Sequence, residues 1–279
     1  MTDNNTKRRS SQSNKSPPRK SQSLQSNNHP IKKRRSSQNN GIITIPYMNT
    51  SIGNGLNNQS QSPFGNEESI QLLQNSPLVK INVFFDVCCG CCSICEVIHC
   101  ISVIINDKEH IIFRCSDSSN CCVRSLCSSK SRSLDIKWIL PNKDIFAYSE
   151  KQCDCNCCCF GTPVLKNTYK NNKSLGFIDE KCRLYSPYYY IFDKKDNLKY
   201  SVEIPCCQCS FYCRHCCGKY SSYSGYIYNK DNLNECVGTI EVSERVYIIH
   251  FPLDANVEDK MNLISCIILF SYCYYSSRK

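Results

Sequence analysis

The chain has 279 residues, with 34 Lys and Arg, 24 Asp and Glu, 25 Cys and a formal net charge of +10. That length excludes a disulfide mini-protein and gives ample chain for a hydrophobic core, in one medium domain or two small ones. Cysteine at about 9% verges on disulfide-scaffold composition, but the opening MTDNNTKRRSSQS has no apolar export segment, so the expectation is a reduced thiol set open to metal ligation, acylation or redox chemistry.

The charge belongs to one end. Residues 1–40 hold ten basic residues, including the clusters Lys7–Arg9 and Lys32–Arg35, against one acid, Asp3. The remaining residues are almost neutral, so nothing supports a nucleic-acid-binding face on the folded part. Residues 1–77 are dominated by Ser, Asn, Gln, Lys and Pro. Ordering them would cost entropy with little burial in return, which predicts a disordered tail. Its one apolar island, IITIPYM at Ile42–Met48, reads as a short docking peptide. The basic clusters fit a solvated tail, contact with anionic lipid, or importin recognition and nuclear entry. Ser10, Ser11, Ser36 and Ser37 adjoin them, so phosphorylation would weaken either attraction.

From Leu78 the texture changes to short β-branched and aromatic runs separated by polar or Cys-rich turns. The expected strands are Leu78–Phe85, Val97–Ile105, His110–Arg114, Leu134–Leu140, Ile145–Tyr148, Val164–Tyr169, Leu175–Ile178, Tyr188–Phe192, Lys199–Ile204, Tyr223–Tyr228, Cys236–Val242 and Val246–Phe251. Asn106-Asp107 and Asn142-Lys143-Asp144 read as hairpin turns. Many short strands without βαβ alternation, a GxGxxG or a phosphate loop predict a mainly β protein, an antiparallel sandwich or barrel. One segment breaks the pattern: MNLISCIILFSYCYYSS from Met261 carries no charge. Glu258 and Asp259 suit a helix N-terminus and Asn256 can cap it. Met261, Leu263, Ile264, Ile267, Ile268, Leu269 and Phe270 put apolar side chains on every face, so this helix must be buried all round. Residues 258–275 span ~27 Å against a bilayer core of ~30 Å. Length alone leaves a short membrane span and a core helix both open.

The cysteines cluster. Cys88, Cys89, Cys91, Cys92 and Cys95 form CCGCCSIC, and Cys121, Cys122 and Cys127 lie in SNCCVRSLC. In CCQCSFYCRHCC, the pairs Cys206/Cys209 and Cys213/Cys216 are CxxC units with His215 nearby. Four such ligands would suit tetrahedral zinc, but three residues between the pairs make a cramped site, and unligated thiols are the plainer reading. In CDCNCCCFG, Cys153, Cys155, Cys157, Cys158 and Cys159 cannot all ligate one ion. Packed thiols beside Phe160 suit S-acylation with palmitate, because stable anchoring takes more than one signal; the plain alternative is a reduced surface loop. No catalytic signature accompanies the five histidines, so an enzyme is not expected. Trp138 in LDIKWIL and His250 beside Phe251 read as barrel side chains.

CDCNCCCFG resembles the acylated polycysteine segment of phospholipid scramblases, and it follows the strand pair with Ile136-Lys137-Trp138 and the Cys121-Cys122 segment. Ile204-Pro205-Cys206-Cys207-Gln208-Cys209 resembles that family's Gly-Pro-Cys-x-x-Cys stretch, and Cys236-Val237-Gly238-Thr239-Ile240 its Val-Gly-Lys-Ile strand. Phe251-Pro252-Leu253-Asp254 before the apolar helix resembles its Phe-Pro-Leu-Asp and hydrophobic carboxyl-terminal helix. Order and spacing match over about Leu78–Tyr275, with an extra loop near Ser210–Tyr220. The resemblance implies a tubby-like closed barrel of about twelve strands around that helix. It also implies ATP-independent, bidirectional movement of membrane phospholipids between leaflets, calcium dependence, and acylation at the cytosolic face of the plasma membrane, with nuclear entry if acylation fails.

The chain departs from the family at calcium. Ser243 and Arg245 stand where acids belong, leaving Asp254 and, less directly, Glu244 as candidate carboxylates. Calcium takes six to eight oxygens, and Arg245 would repel it. The expected division is therefore a tail, 1–77, and a scramblase-like domain, 78–279. Helix residues Asn262, Ser265 and Ser271 offer too little polar path for lipid headgroups without oligomerisation or bilayer thinning. A lipid-anchored binding or regulatory module without scrambling activity, and a zinc-binding intracellular adaptor, stand as the alternatives.

Overall fold

A computed structural model describes residues 66–86, 96–119, 132–153, 164–182, 187–204, 223–243 and 245–274. The tail up to residue 65, with Ile42–Met48, lies outside them. Twelve strands form: β1 (Leu78–Asp86), β2 (Glu96–Ile105), β3 (Lys108–Asp117), β4 (Leu134–Ile139), β5 (Ile145–Lys151), β6 (Val164–Tyr169), β7 (Ser174–Cys182), β8 (Pro187–Asp193), β9 (Leu198–Glu203), β10 (Tyr223–Asn229), β11 (Asn232–Ser243) and β12 (Val246–His250). Each pairs antiparallel with its neighbours in sequence, and β1 pairs with β12, Ile81 facing Tyr247, so the sheet closes on itself. All twelve expected strands are present, and the open choice between sandwich and barrel resolves as a barrel.

Turn chemistry sets the register. Asn106 and Asp107 have φ of 50° and 61°, and Lys143 has φ of 73°; Asn and Asp reach this left-handed region at least cost among side-chain-bearing residues, and the paired positive values match the twist of a two-residue hairpin. Asn142 Oδ1 also accepts from the Asp144 amide at 2.9 Å, closing the second expected turn.

Alternation then fills the interior. Leu134, Ile136 and Trp138 along β4 and Leu140 just beyond it are buried, as are Val79, Ile81 and Val83 along β1. Twelve strands about 4.8 Å apart and tilted about 40° enclose a backbone diameter of about 24 Å, too wide for wall side chains alone to fill. The filling is helix α2 (Val257–Tyr274). Every helix residue from Asp259 to Cys273 is buried, including Met261, Leu263, Ile264, Ile267, Ile268, Leu269 and Phe270. Asn256 caps it as expected, its Oδ1 accepting from the Asp259 amide at 2.9 Å while Asp259 Oδ2 reaches back to the Asn256 amide at 3.4 Å. No described helix is long and apolar enough to cross a membrane.

One element was not expected. Helix α1 (Asn66–Asn75) lies inside the stretch assigned to the tail, and its Leu73 is fully buried in the core. Its attachment is electrostatic as well as apolar. Lys260 Nζ donates to the carbonyls of Leu73, Gln74 and Ser76 at 3.1, 2.7 and 2.8 Å, satisfying orphan acceptors around the end of α1.

Candidate functional site

The two rims of the barrel differ in kind. In an antiparallel ring, every link from an odd strand to the next even one leaves from the same rim. Those links contain residues 87–95, 120–131, 154–163, 183–186 and 205–222, and they carry the cysteine clusters. Cys155, Cys157, Cys158, Cys159, Cys206, Cys209, Cys213 and Cys216 lie outside the described residues. Cys153, at the end of the β5 wall, is described and exposed. The opposite rim carries the short turns, and α2 enters the barrel there. The sequence displayed each cluster separately; the topology gathers the strand ends that bear them around one opening.

The helix is tied to the wall along its length. At the short-turn end, Asn262 Nδ2 donates to the Leu175 carbonyl at 3.0 Å, and its Oδ1 accepts from Asn167 at 2.7 Å. Midway, Ser265 Oγ lies 3.5 Å from Ser149 Oγ, which also accepts from Trp138 Nε1 at 2.8 Å. At the cysteine-bearing end, His99 Nε2 lies 2.6 Å from Ser271 Oγ, and Tyr272 OH donates to the Val97 carbonyl at 3.2 Å. The polar helix residues, too few for a headgroup path, therefore serve as fasteners. Burial drives the His99 pKa down to about 3, keeping the ring neutral. Burial likewise pushes the Cys266 thiol well above its ordinary range.

Charged groups cluster inside the cysteine-bearing mouth. Arg132 Nη2 lies 3.7 Å from Asp117 Oδ2, and the guanidinium sits 5.2 Å from the Tyr272 ring centroid. Lys151 Nζ donates to the Arg132 carbonyl at 2.6 Å, and Glu180 is buried among the strands. Sequence reading missed these residues because charge argues for the surface. The signal was parity: Lys151 follows Ala147 and Ser149 at spacing two, so it shares their inward face.

Of the two calcium candidates, Asp254 is described and Glu244 is not. Asp254 lies in the connection from β12 to α2, where its Oδ1 is 3.5 Å from Tyr200 OH. Glu244 lies outside the described residues, but Ser243 and Arg245 on either side of it are at the other end of β12, about 16 Å away for a five-residue strand. The carboxylates near Asp254 have other work: Glu258 accepts from Tyr169 at 3.3 Å and Lys194 at 3.0 Å. Among the described residues, no group of three or more His, Cys, Asp and Glu is arranged to hold a metal ion.

The outer surface has one distinctive wall. Facing outward and partly exposed from β7 to β10 are Phe177, Phe192, Tyr190, Tyr226 and Tyr228, while Tyr188 shares their side of the sheet but is buried. Phe177 and Phe192 stack at 4.4 Å with an 8° interplanar angle. Tyr188 meets Tyr190 edge-on at 5.3 Å, Tyr190 meets Phe192 at 6.4 Å, and Tyr226 pairs with Tyr228 at 6.4 Å. Lys181 Nζ lies 5.9 Å from the Tyr190 centroid.

No solved structure matches the chain. The model of one protein family, described as Scramblase, matches residues 102–277, well over half of the sequence and most of the barrel with its helix.

Proposed function

The chain belongs to the scramblase family, whose members interact with membrane phospholipids and are not an enzyme family, and on that basis we propose that it moves phospholipids between bilayer leaflets, bidirectionally and without ATP. The observation that carries the reading is the family match, which runs through the barrel wall and the helix it encloses. In this reading the protein is held at the cytosolic face of the plasma membrane by palmitate on Cys153, Cys155, Cys157, Cys158 and Cys159. Cys153 is exposed at the rim, in keeping with access to an acyl-transfer enzyme. Several acyl chains make the attachment durable, since one alone gives only marginal binding. Because α2 is fastened within the barrel, the headgroup path would come from thinning of the bilayer beneath a docked barrel or from several copies together. Asp254 and the residues flanking Glu244 lie at opposite ends of β12, so in this reading calcium acts as a modulator elsewhere.

The test is exchange of a fluorescent phospholipid between leaflets of vesicles containing the purified full chain. Exchange well above that of empty vesicles supports the proposal, and a rate equal to empty vesicles counts against it. One observation favours a second reading, a lipid-anchored binding or regulatory module. The helix is enclosed and bonded to β2, β5, β6 and β7, so the fold stands without lipid and needs no transport role to explain its apolar segment. That reading expects vesicle binding with no exchange.

A further inference from the structure

We propose that the outer wall of β7–β10 is the face by which the barrel lies against a phospholipid bilayer, with its aromatic rings at the level of the headgroups. The inference rests on the proposed function only for the nature of the partner. Five partly exposed aromatic side chains share this wall, and three end in a phenolic hydroxyl. A ring that is apolar along its body and wet at its tip is suited to the boundary between acyl chains and headgroups, where Tyr and Trp are enriched in membrane proteins. By contrast, the outer face of β3, β4 and β5 presents Arg114, Ser116, Asp135, Lys137 and Glu150.

The charges on the wall fix the kind of bilayer. Lys199 shares the face of Ser201 and Glu203 on β9, and Lys181 pairs with Asp179 at 2.5 Å. Glu203 lies across from both Tyr188 and Tyr226. Two cations and two anions leave no net field, which matches a zwitterionic headgroup layer rather than an anionic one. In the middle of the wall, Ser201 is fully buried between its cross-strand neighbours Tyr190 and Tyr228, and its Oγ has no hydrogen-bond partner. Only a parting of those rings would open the hydroxyl to a phosphodiester oxygen, which would accept that hydrogen bond. The wall also adjoins the acylation candidates: Cys153 closes the β5 side, with only β6 between it and β7. Acyl chains leaving that rim would hold this side of the barrel down.

The experiment uses the full chain, freed of thioester-linked acyl groups with hydroxylamine, and phosphatidylcholine vesicles brominated on their acyl chains. Two variants report by fluorescence, F192W on the wall and I104W on β2, which lies six strands away around the ring and is 51% exposed. Trp138 is buried inside the barrel and contributes the same background to both. The expected result is lipid quenching of F192W and none of I104W, unchanged by high salt. Adding Tyr190→Ser to F192W should weaken vesicle partitioning roughly tenfold. Equal quenching of both variants, no quenching of F192W, or binding that requires anionic lipid would overturn the proposal. So would an F192W signal that follows protein concentration without lipid, because the wall would then face a second copy. Leaflet exchange in the same vesicles is read separately, so a docked wall without exchange sinks the transport reading alone.

Discussion

His99 sets a pH limit on the fold. It is fully buried with its ring 5.2 Å from that of Tyr272, and its pKa falls from 6.5 to about 3. Between those values the unfolded chain binds a proton that the folded chain refuses. Stability is therefore complete above about pH 6.5 and falls as the pH drops, by roughly 1.4 kcal/mol per unit. Denaturant titrations at pH 7 and pH 5 should show a loss of about 2 kcal/mol from this residue, and His99→Gln, which keeps a partner for Ser271, should remove it. An acid limb of the same depth in the variant would assign the sensitivity elsewhere. Asn262 makes a second residue-scale prediction. Asn262→Leu would fill the same space but strand the Leu175 carbonyl and the Asn167 amide, and each buried orphan costs about 1–3 kcal/mol. A double substitution with Asn167→Leu should recover part of the loss in the denaturation midpoint.

Elements differ in how plainly they were written. The strands were legible because branched and aromatic residues alternate and Asn or Asp marks the turns. Their ends were less so: β5 runs on through Ser149 and Lys151 and β7 through Glu180, buried polar residues that a reading based on hydrophobicity cuts off. Helix α1 was missed because NEESIQLLQN has few apolar positions and depends on a distant partner, Lys260. Lys260→Met would leave three carbonyls at that end of α1 without their donor. Hydrogen exchange should then quicken in Asn66–Asn75 first, with the barrel strands little changed; uniform loosening would mean that α1 is not separately pinned. Gly176 marks another dependence. At φ 134°, an added Cβ would lie 2.2 Å from the Phe192 carbonyl oxygen and 2.7 Å from Asn262 Nδ2. Gly176→Ala should therefore destabilise by several kcal/mol, through backbone strain and through the lost packing of β7 against both β8 and α2. A melting temperature within a degree or two of the parent chain would show that the wall can yield there.

For the whole molecule, the charge asymmetry, the cysteine clusters and the apolar segment were all visible in the sequence. Their mutual arrangement was not: the antiparallel strand order gathers the cysteine-bearing links at one rim, and closure of the ring gives the apolar helix α2 a home away from lipid. Replacing Cys153, Cys155, Cys157, Cys158 and Cys159 with Ala should move the protein out of the membrane fraction while leaving its circular dichroism intact. Retention on membranes would place the anchor elsewhere. The central physical claim is that α2 is the filling of the barrel. Burial of each large apolar side chain contributes about 1.5–3 kcal/mol, and this helix supplies nine side chains of Met, Leu, Ile, Phe, Tyr or Cys between Met261 and Tyr272. Residue-resolved hydrogen exchange on the full chain in lipid-free buffer tests this most directly. The amides of Met261–Cys273 should rank among the slowest in the protein, and adding vesicles should change them little; fast exchange in buffer that slows only when a bilayer is supplied would contradict the account.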